Sequence, residues 1–221
     1  MEAVLKVGGS LAEAPAKLTR LCRELSVLAE AHRILIVPGG GEFADTVRKL
    51  DKAYGLSNTI SHKMAILAMD QYGIFLSEIT PNSRVSYALD ESSNSAKGTL
   101  PIFLPSQLMF REDTLEHSWD VTSDSIAAYI AGLLDAKKLL LVTDVDGIFS
   151  EDPKKSADNK LIEELSAEEL QGWNGRTSVD KTLPKILLKT NMDCYVVNGG
   201  YPERIKLILE NKKTVCTHII V

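Results

Sequence analysis

Ala3-Val4-Leu5-Lys6-Val7-Gly8-Gly9-Ser10 is the stretch that decides the fold: an apolar run, a lysine near its end, a double glycine, and then a helical pattern from Glu13 to His32. In that pattern Leu18, Leu21, Cys22, Leu25 and Leu28 recur at helical spacing with charges between them, so one stripe faces a core. The chain then repeats itself. Ile34-Leu35-Ile36-Val37 runs into Pro38-Gly39-Gly40-Gly41-Glu42, and a second helical pattern follows to Tyr54. A strand, helix, strand connection predicts a parallel pair with a right-handed crossover, which places both glycine turns beyond the carboxyl ends of the strands. Backbone N–H groups in such a turn, together with a helix start, favour a phosphate, and Lys6 adds a cation just upstream. Taken alone, Gly8-Gly9 reads equally well as a tight strand-to-helix turn.

The same rhythm continues along the chain. Helices are expected over about 61–72, 125–134, 167–171, 181–189 and after Pro202. Strands are expected at 73–76, 101–105, 138–143, 195–197 and 219–220, and 81–98 reads as a turn or mobile connection. Leu139-Leu140-Leu141-Val142 is continuously apolar, as in a strand covered on both faces. An α/β fold with a central, mostly parallel sheet follows.

The chain has 221 residues, 44% of them hydrophobic, enough for a sizeable core in one domain over 1–221. A net charge of -5 argues against a nucleic-acid footprint, so no nucleic-acid partner is expected. Cys22, Cys194 and Cys216 lack metal-ligand spacing, and their odd number suggests a reducing compartment. No secretory signal is expected, and the longest apolar run, 126–134, falls far short of the roughly 18 residues that span a bilayer. A soluble cytoplasmic protein without a membrane partner is the expectation.

Three further motifs carry chemistry. Thr122-Ser123-Asp124 precedes a helix, where Ser123 or Asp124 could act only as a cap. Thr143-Asp144-Val145-Asp146-Gly147-Ile148-Phe149, with Asp152-Pro153, follows a strand, although Asp146-Gly147 could be only a turn. Pro184-Lys185 opens another helix, where a lysine is ordinarily solvated. Together with Lys6-Val7-Gly8-Gly9-Ser10 and Pro38-Gly39-Gly40-Gly41, these motifs resemble, in order and along the whole chain, those of the amino acid kinase family. The resemblance implies a three-layer αβα sandwich and ATP-dependent phosphoryl transfer. It makes Lys6 and Lys185 the cations flanking the transferred phosphoryl, with Asp124 organising them. Gly8, Gly9 and Ser10 would then hold ATP phosphates, and Gly39, Gly40 and Gly41 would face the acceptor. Thr143, Asp144, Asp146, Gly147, Phe149 and Asp152 would fall on the nucleotide side, mainly 121–221, with the acceptor side mainly 1–120. Mg2+ bridging the ATP phosphates is expected, with no metal-ligand cluster assignable in the sequence. A homo-oligomer is also implied. The physics agrees with the lysines: phosphoryl transfer needs positioning and charge neutralisation more than covalent help.

No histidine or carboxylate in these motifs stands out as a general base, which suits an acceptor that is already anionic, such as a phosphate monoester. His62 stands where uridylate kinases carry an aspartate. The wording of Gly41-Glu42-Phe43-Ala44-Asp45 with Arg48, of 64–69, and of Trp119 to Asp124 is most similar to the branch acting in methanofuran biosynthesis. That resemblance implies 5-(aminomethyl)-3-furanmethanol phosphate as acceptor, converted to its diphosphate. Asp45, Arg48 and His62 become the acceptor-side candidates, Arg48 for a phosphate and a carboxylate for the ammonium. Other acceptors of the family (uridylate, isopentenyl phosphate, an amino acid) and a non-catalytic nucleotide or oxyanion storage protein stay open.

Overall fold

The computed structural model describes residues 1–150, 159–173 and 177–221. Its centre is an eight-stranded sheet in the order β3-β4-β2-β1-β5-β9-β10-β8. The strands are β1 (Ala3–Val7), β2 (Ile34–Pro38), β3 (Ser83–Ser86), β4 (Leu100–Phe103), β5 (Lys138–Thr143), β8 (Glu164–Ser166), β9 (Cys194–Asn198) and β10 (Thr217–Ile220). All neighbours run parallel except β9 and β10. A separate ribbon pairs β6 (Ile148–Phe149) with β7 (Leu161–Ile162). β1 lies in the middle, with Lys6 in register with Val37 of β2 and Leu141 of β5. Burial of both faces explains the continuous apolar strands.

Among the described residues, nine α-helices flank the sheet: α1 (Pro15–Leu28), α2 (Gly41–Tyr54), α3 (Asn58–Ile79), α4 (Leu89–Ser93), α5 (Ser106–Glu112), α6 (Ser123–Leu133), α7 (Ala167–Gln171), α8 (Leu183–Thr190) and α9 (Pro202–Leu209). Two apolar cores result, one on each side of the sheet. Ala3, Leu5 and Val7 pack with α1 and α9, whereas Val4 packs with α6 and α8 on the opposite face. This is the three-layer sandwich the motifs implied. Alternation along β1 therefore points Lys6 toward the α6 side.

Three expectations need correction. Residues 73–76 are not a strand but the end of α3. Gly73 looked like a boundary, yet it admits close packing: a Cβ there would lie 2.4 Å from Leu104 Cδ2. Ile74 and Phe75 are exposed while Tyr72 and Leu76 are buried, which is a helical period. Residues 81–98 carry β3 and α4 rather than a bare connection. The cap of α6 is Thr122, whose Oγ1 accepts from Asp124 N at 3.3 Å, and not Ser123 or Asp124.

Candidate active site

The two glycine turns meet at the carboxyl end of the sheet, as the strand order requires. A 3-10 turn, Gly9–Glu13, follows the first of them. Gly8 N donates to Val142 O and Gly39 N to Val7 O, both at 2.8 Å, so each turn is tied to a neighbouring strand. A Cβ on Gly9 would lie 2.1 Å from Gly41 Cα, and one on Gly39 would lie 2.8 Å from Gly9 N. Side chains are excluded because the two backbones interlock. Gly41 has φ +53°, in the left-handed region that glycine reaches without a Cβ penalty. Beneath them Tyr72, its phenol pushed up by burial, donates to Gly8 O at 3.3 Å.

Between the turns opens a cleft of about 470 Å³. Its floor holds Lys6, whose Nζ lies 2.8 Å from Asp124 Oδ1, the two side chains only 13% and 8% exposed. Gly8, Gly9, Ser10, Gly40, Gly41, Asp45, Arg48, His62 and Thr143 also line it. The donor set suits an anion: backbone N–H groups, the Ser10 hydroxyl and a buried ammonium. Asp144 accepts from Ser10 Oγ at 3.0 Å and from Thr143 Oγ1 at 3.1 Å at the rim. Among the described residues no three His, Cys, Asp or Glu side chains cluster as a metal site. A lone carboxylate with hydroxyls beside it nevertheless fits Mg2+, which commonly takes one or two protein oxygens and completes its shell with phosphate and water.

Other anticipated residues sit around this cleft rather than in it. Lys185 is exposed on the first turn of α8. Asp146 is held by Arg204 Nη1 at 2.6 Å and Asn198 Nδ2 at 3.0 Å, which pins the 144–147 turn to the start of α9. Gly147 packs so closely on β10 that a Cβ would meet Thr217 Oγ1 at 2.3 Å, and Phe149 is half-buried in β6. Asp152 lies outside the described residues.

At the α2 end, Arg48 donates to Asp45 Oδ1 at 2.9 Å, and its guanidinium lies 4.7 Å over the Trp119 ring. Trp119 is itself fixed, because Nε1 donates to Asp51 Oδ2 at 2.7 Å. His62, nearly buried, stacks on His117 with centroids 4.7 Å apart. Burial first, and then the neighbouring His117, hold His62 below the ordinary histidine value of 6.5. His117 Nε2 lies 2.7 Å from Asp113 Oδ1, and that hydrogen bond lowers the Asp113 carboxyl.

Sequence reasoning missed Asp180. Its Oδ2 accepts from Thr122 N at 2.8 Å, Thr122 Oγ1 at 2.9 Å and Ser125 N at 3.0 Å. Its Oδ1 accepts from Ser125 Oγ at 2.6 Å, Thr182 N at 3.1 Å and Leu183 N at 2.8 Å. One carboxylate thus serves the starts of both α6 and α8. The available signal was an Asp three residues before Leu183-Pro184, a capping pattern with proline in the first turn.

Comparison with known proteins gives a consistent picture. Residues 1–198 match the amino acid kinase family. The chain is 40% identical over 217 residues to the (5-(aminomethyl)furan-3-yl)methyl phosphate kinase of Methanocaldococcus jannaschii, covering 98% of this chain and 97% of that protein. It is 28% identical over 190 residues to the uridylate kinase of Methanococcus aeolicus, covering 82% and 80% respectively. The crystal structure of uridylate kinase from Archaeoglobus fulgidus superposes with a TM-score of 0.78 at 23% identity, over 99% of this chain and 100% of that one.

Proposed function

This chain belongs to the amino acid kinase family, and on that premise we propose that it transfers a phosphoryl group from ATP to 5-(aminomethyl)-3-furanmethanol phosphate, forming the diphosphate. The observation that carries the reading is the buried Lys6–Asp124 pair on the floor of a cleft framed by two interlocked glycine turns. The 40% identity over nearly the whole chain to a kinase named for that phosphate supports the choice of acceptor.

The roles are those the family resemblance implies, and the charges of the residues agree with them. Lys6 neutralises charge on the phosphoryl in flight, and Asp124 fixes its ammonium in place rather than leaving it to swing. Lys185 supplies the second cation from α8. The amides and hydroxyl of Gly8, Gly9 and Ser10 hold ATP phosphates, while Gly39, Gly40 and Gly41 let the acceptor approach backbone. Thr143, Asp144, Asp146, Gly147, Phe149 and Asp152 belong to the nucleotide side. Bound Mg2+ would neutralise the ATP phosphates, with Asp144 and Ser10 as the residues to hold it. An acceptor that is already a phosphate has its nucleophilic oxygen ionised, so no side chain need remove a proton.

On the acceptor side Arg48 and Asp45 exchange each other for substrate, Arg48 taking the phosphate and Asp45 the ammonium. Their mutual pair is 49% and 59% exposed, and such pairs are worth only ~0–1 kcal/mol. Charge-assisted bonds inside a closed complex, about 1.5–3 kcal/mol each, outweigh it. Residues 1–221 act as one catalytic domain, in a homo-oligomer. Ile60, Leu67 and Ile74 stand exposed along α3 at seven-residue intervals, a face suited to a second copy. The three cysteines are free and buried, in keeping with a cytoplasmic setting.

The test is ADP release with ATP and Mg2+ across the aminomethylfuran phosphate, its unphosphorylated alcohol, uridylate and isopentenyl phosphate. The first should give the highest kcat/KM. A higher value for uridylate or isopentenyl phosphate would overturn the acceptor but not the kinase. No transfer to any acceptor, with tight ATP binding, would point to storage.

A further inference from the structure

We infer that Asp180 is a positioning residue for phosphoryl transfer: it ties the first turns of α6 and α8 to one carboxylate and thereby sets the position of Lys185 relative to Asp124. The inference rests on the roles proposed above for Lys6, Asp124 and Lys185.

The geometry is specific. Six hydrogen bonds, between 2.6 and 3.1 Å, converge on the two oxygens of Asp180. Oδ2 serves α6 alone. Oδ1 accepts from Ser125 of α6 and from both Thr182 and Leu183 at the start of α8. An ordinary cap satisfies one helix, and either helix alone could have been capped by a residue of its own. Here a shift of α8 relative to α6 must break bonds to the same group. Asp124 lies in the α6 turn that Asp180 holds, and Lys185 in the held turn of α8.

Asp180 also sits near a second carboxylate, that of Asp124. It is raised above the usual carboxylate value, first by burial and then by the charge of Asp124, so the site keeps two carboxylates close together. Lys6 pairs with Asp124 and not with Asp180. The arrangement makes sense as a division of labour. Asp124 holds the Lys6 cation, Asp180 holds the two helices, and neither is free to do the other's task. Displacements of about 1 Å away from the reacting atoms can cost on the order of 100-fold in rate.

The experiment is a steady-state double-mutant cycle with ATP and the aminomethylfuran phosphate. Asp180→Asn keeps the shape but turns an N–H2 toward three of the donors. In the folded protein it should lower kcat by roughly 30-fold or more, with both KM values changing less than about threefold. If Asp180 acts through Lys185, Asp180→Asn/Lys185→Ala should be no more than about twofold slower than the slower single variant. Near-normal kcat in folded Asp180→Asn, or losses that multiply in the double variant, would overturn the inference. So would faster amide exchange at Thr122, Ser125, Thr182 and Leu183 with a lower melting temperature but unchanged kcat, the outcome expected of a cap alone. Ser125→Ala, which removes a single donor, takes the place of Asp180→Asn in the same cycle if the latter does not fold. Near-normal turnover of Lys185→Ala alone would overturn the role proposed for Lys185; the cycle against Asp124→Asn then decides Asp180 by the same additivity rule.

Discussion

Replacing Lys6 with methionine separates stability from catalysis at this site. Lys6 and Asp124 are 13% and 8% exposed and 2.8 Å apart. Removing the ammonium leaves Asp124 buried without its cation and close enough to Asp180 to raise that carboxyl. Breaking one side of a buried pair costs about 3–5 kcal/mol. At roughly 2–4 °C per kcal/mol for a chain of this size, the melting temperature should fall by about 6–20 °C. Loss of one preorganised electrostatic contact to the transition state should lower kcat by roughly 100- to 1000-fold, or about 2.7–4 kcal/mol. The two effects part company in Lys6→Met/Asp124→Leu. An apolar pair of similar volume removes the uncompensated charge, so most of the melting temperature should return, whereas turnover should stay as low as in the single variant. Differential scanning fluorimetry and ADP-release kinetics on the same preparations read both. A single variant with kcat within about threefold of the unsubstituted protein, or a double variant that recovers turnover along with stability, would refute the reasoning.

Arg48→Ala should raise KM for the phosphorylated acceptor by roughly 10- to 100-fold, the worth of one charge-assisted contact, and leave KM for ATP within about twofold; equal effects on both would remove Arg48 from the acceptor side. His62 titrates below 6.5 in the fold because it is buried, so the unfolded chain takes up its proton first. Stability should therefore decline as pH falls below about 6.5, and His62→Gln should flatten melting temperature against pH between 5 and 7; an unchanged slope would mean that His62 does not carry it. Gly9→Ala, whose Cβ would sit 2.1 Å from Gly41 Cα, should abolish soluble expression or activity, while Gly55→Ala, at φ +62° with nothing within 4 Å, should cost only about 1–2 kcal/mol. Comparable melting temperatures for the two variants would refute the interlocked turns.

What could be read from the chain and what could not divide along the range of the interaction. Lys6, Gly8, Gly9 and Gly39 to Gly41 declare themselves locally: apolar runs end in glycines, helical periods begin, and chirality of the crossover does the rest. The same local logic misread Gly73, because its purpose is the approach of Leu104, just after β4 and about thirty positions away. Arg48 and Asp45 were legible as a pair of charges on one helix face, but their stacking partner Trp119 and its anchor Asp51 are joined across 68 positions. Asp180 is the extreme case. In sequence it is a plausible cap for the helix that follows, and nothing nearby reveals that Thr122 and Ser125, 58 and 55 positions earlier, donate to it as well. That long-range tie bears on Lys185. Lys185 is a solvated lysine by every local criterion; the family resemblance is what singles it out, and the structure adds that its helix shares a carboxylate with the helix of Asp124. A variant that loosens the tie without touching either charge is therefore the sharpest probe of whether the exposed lysine belongs to the chemistry.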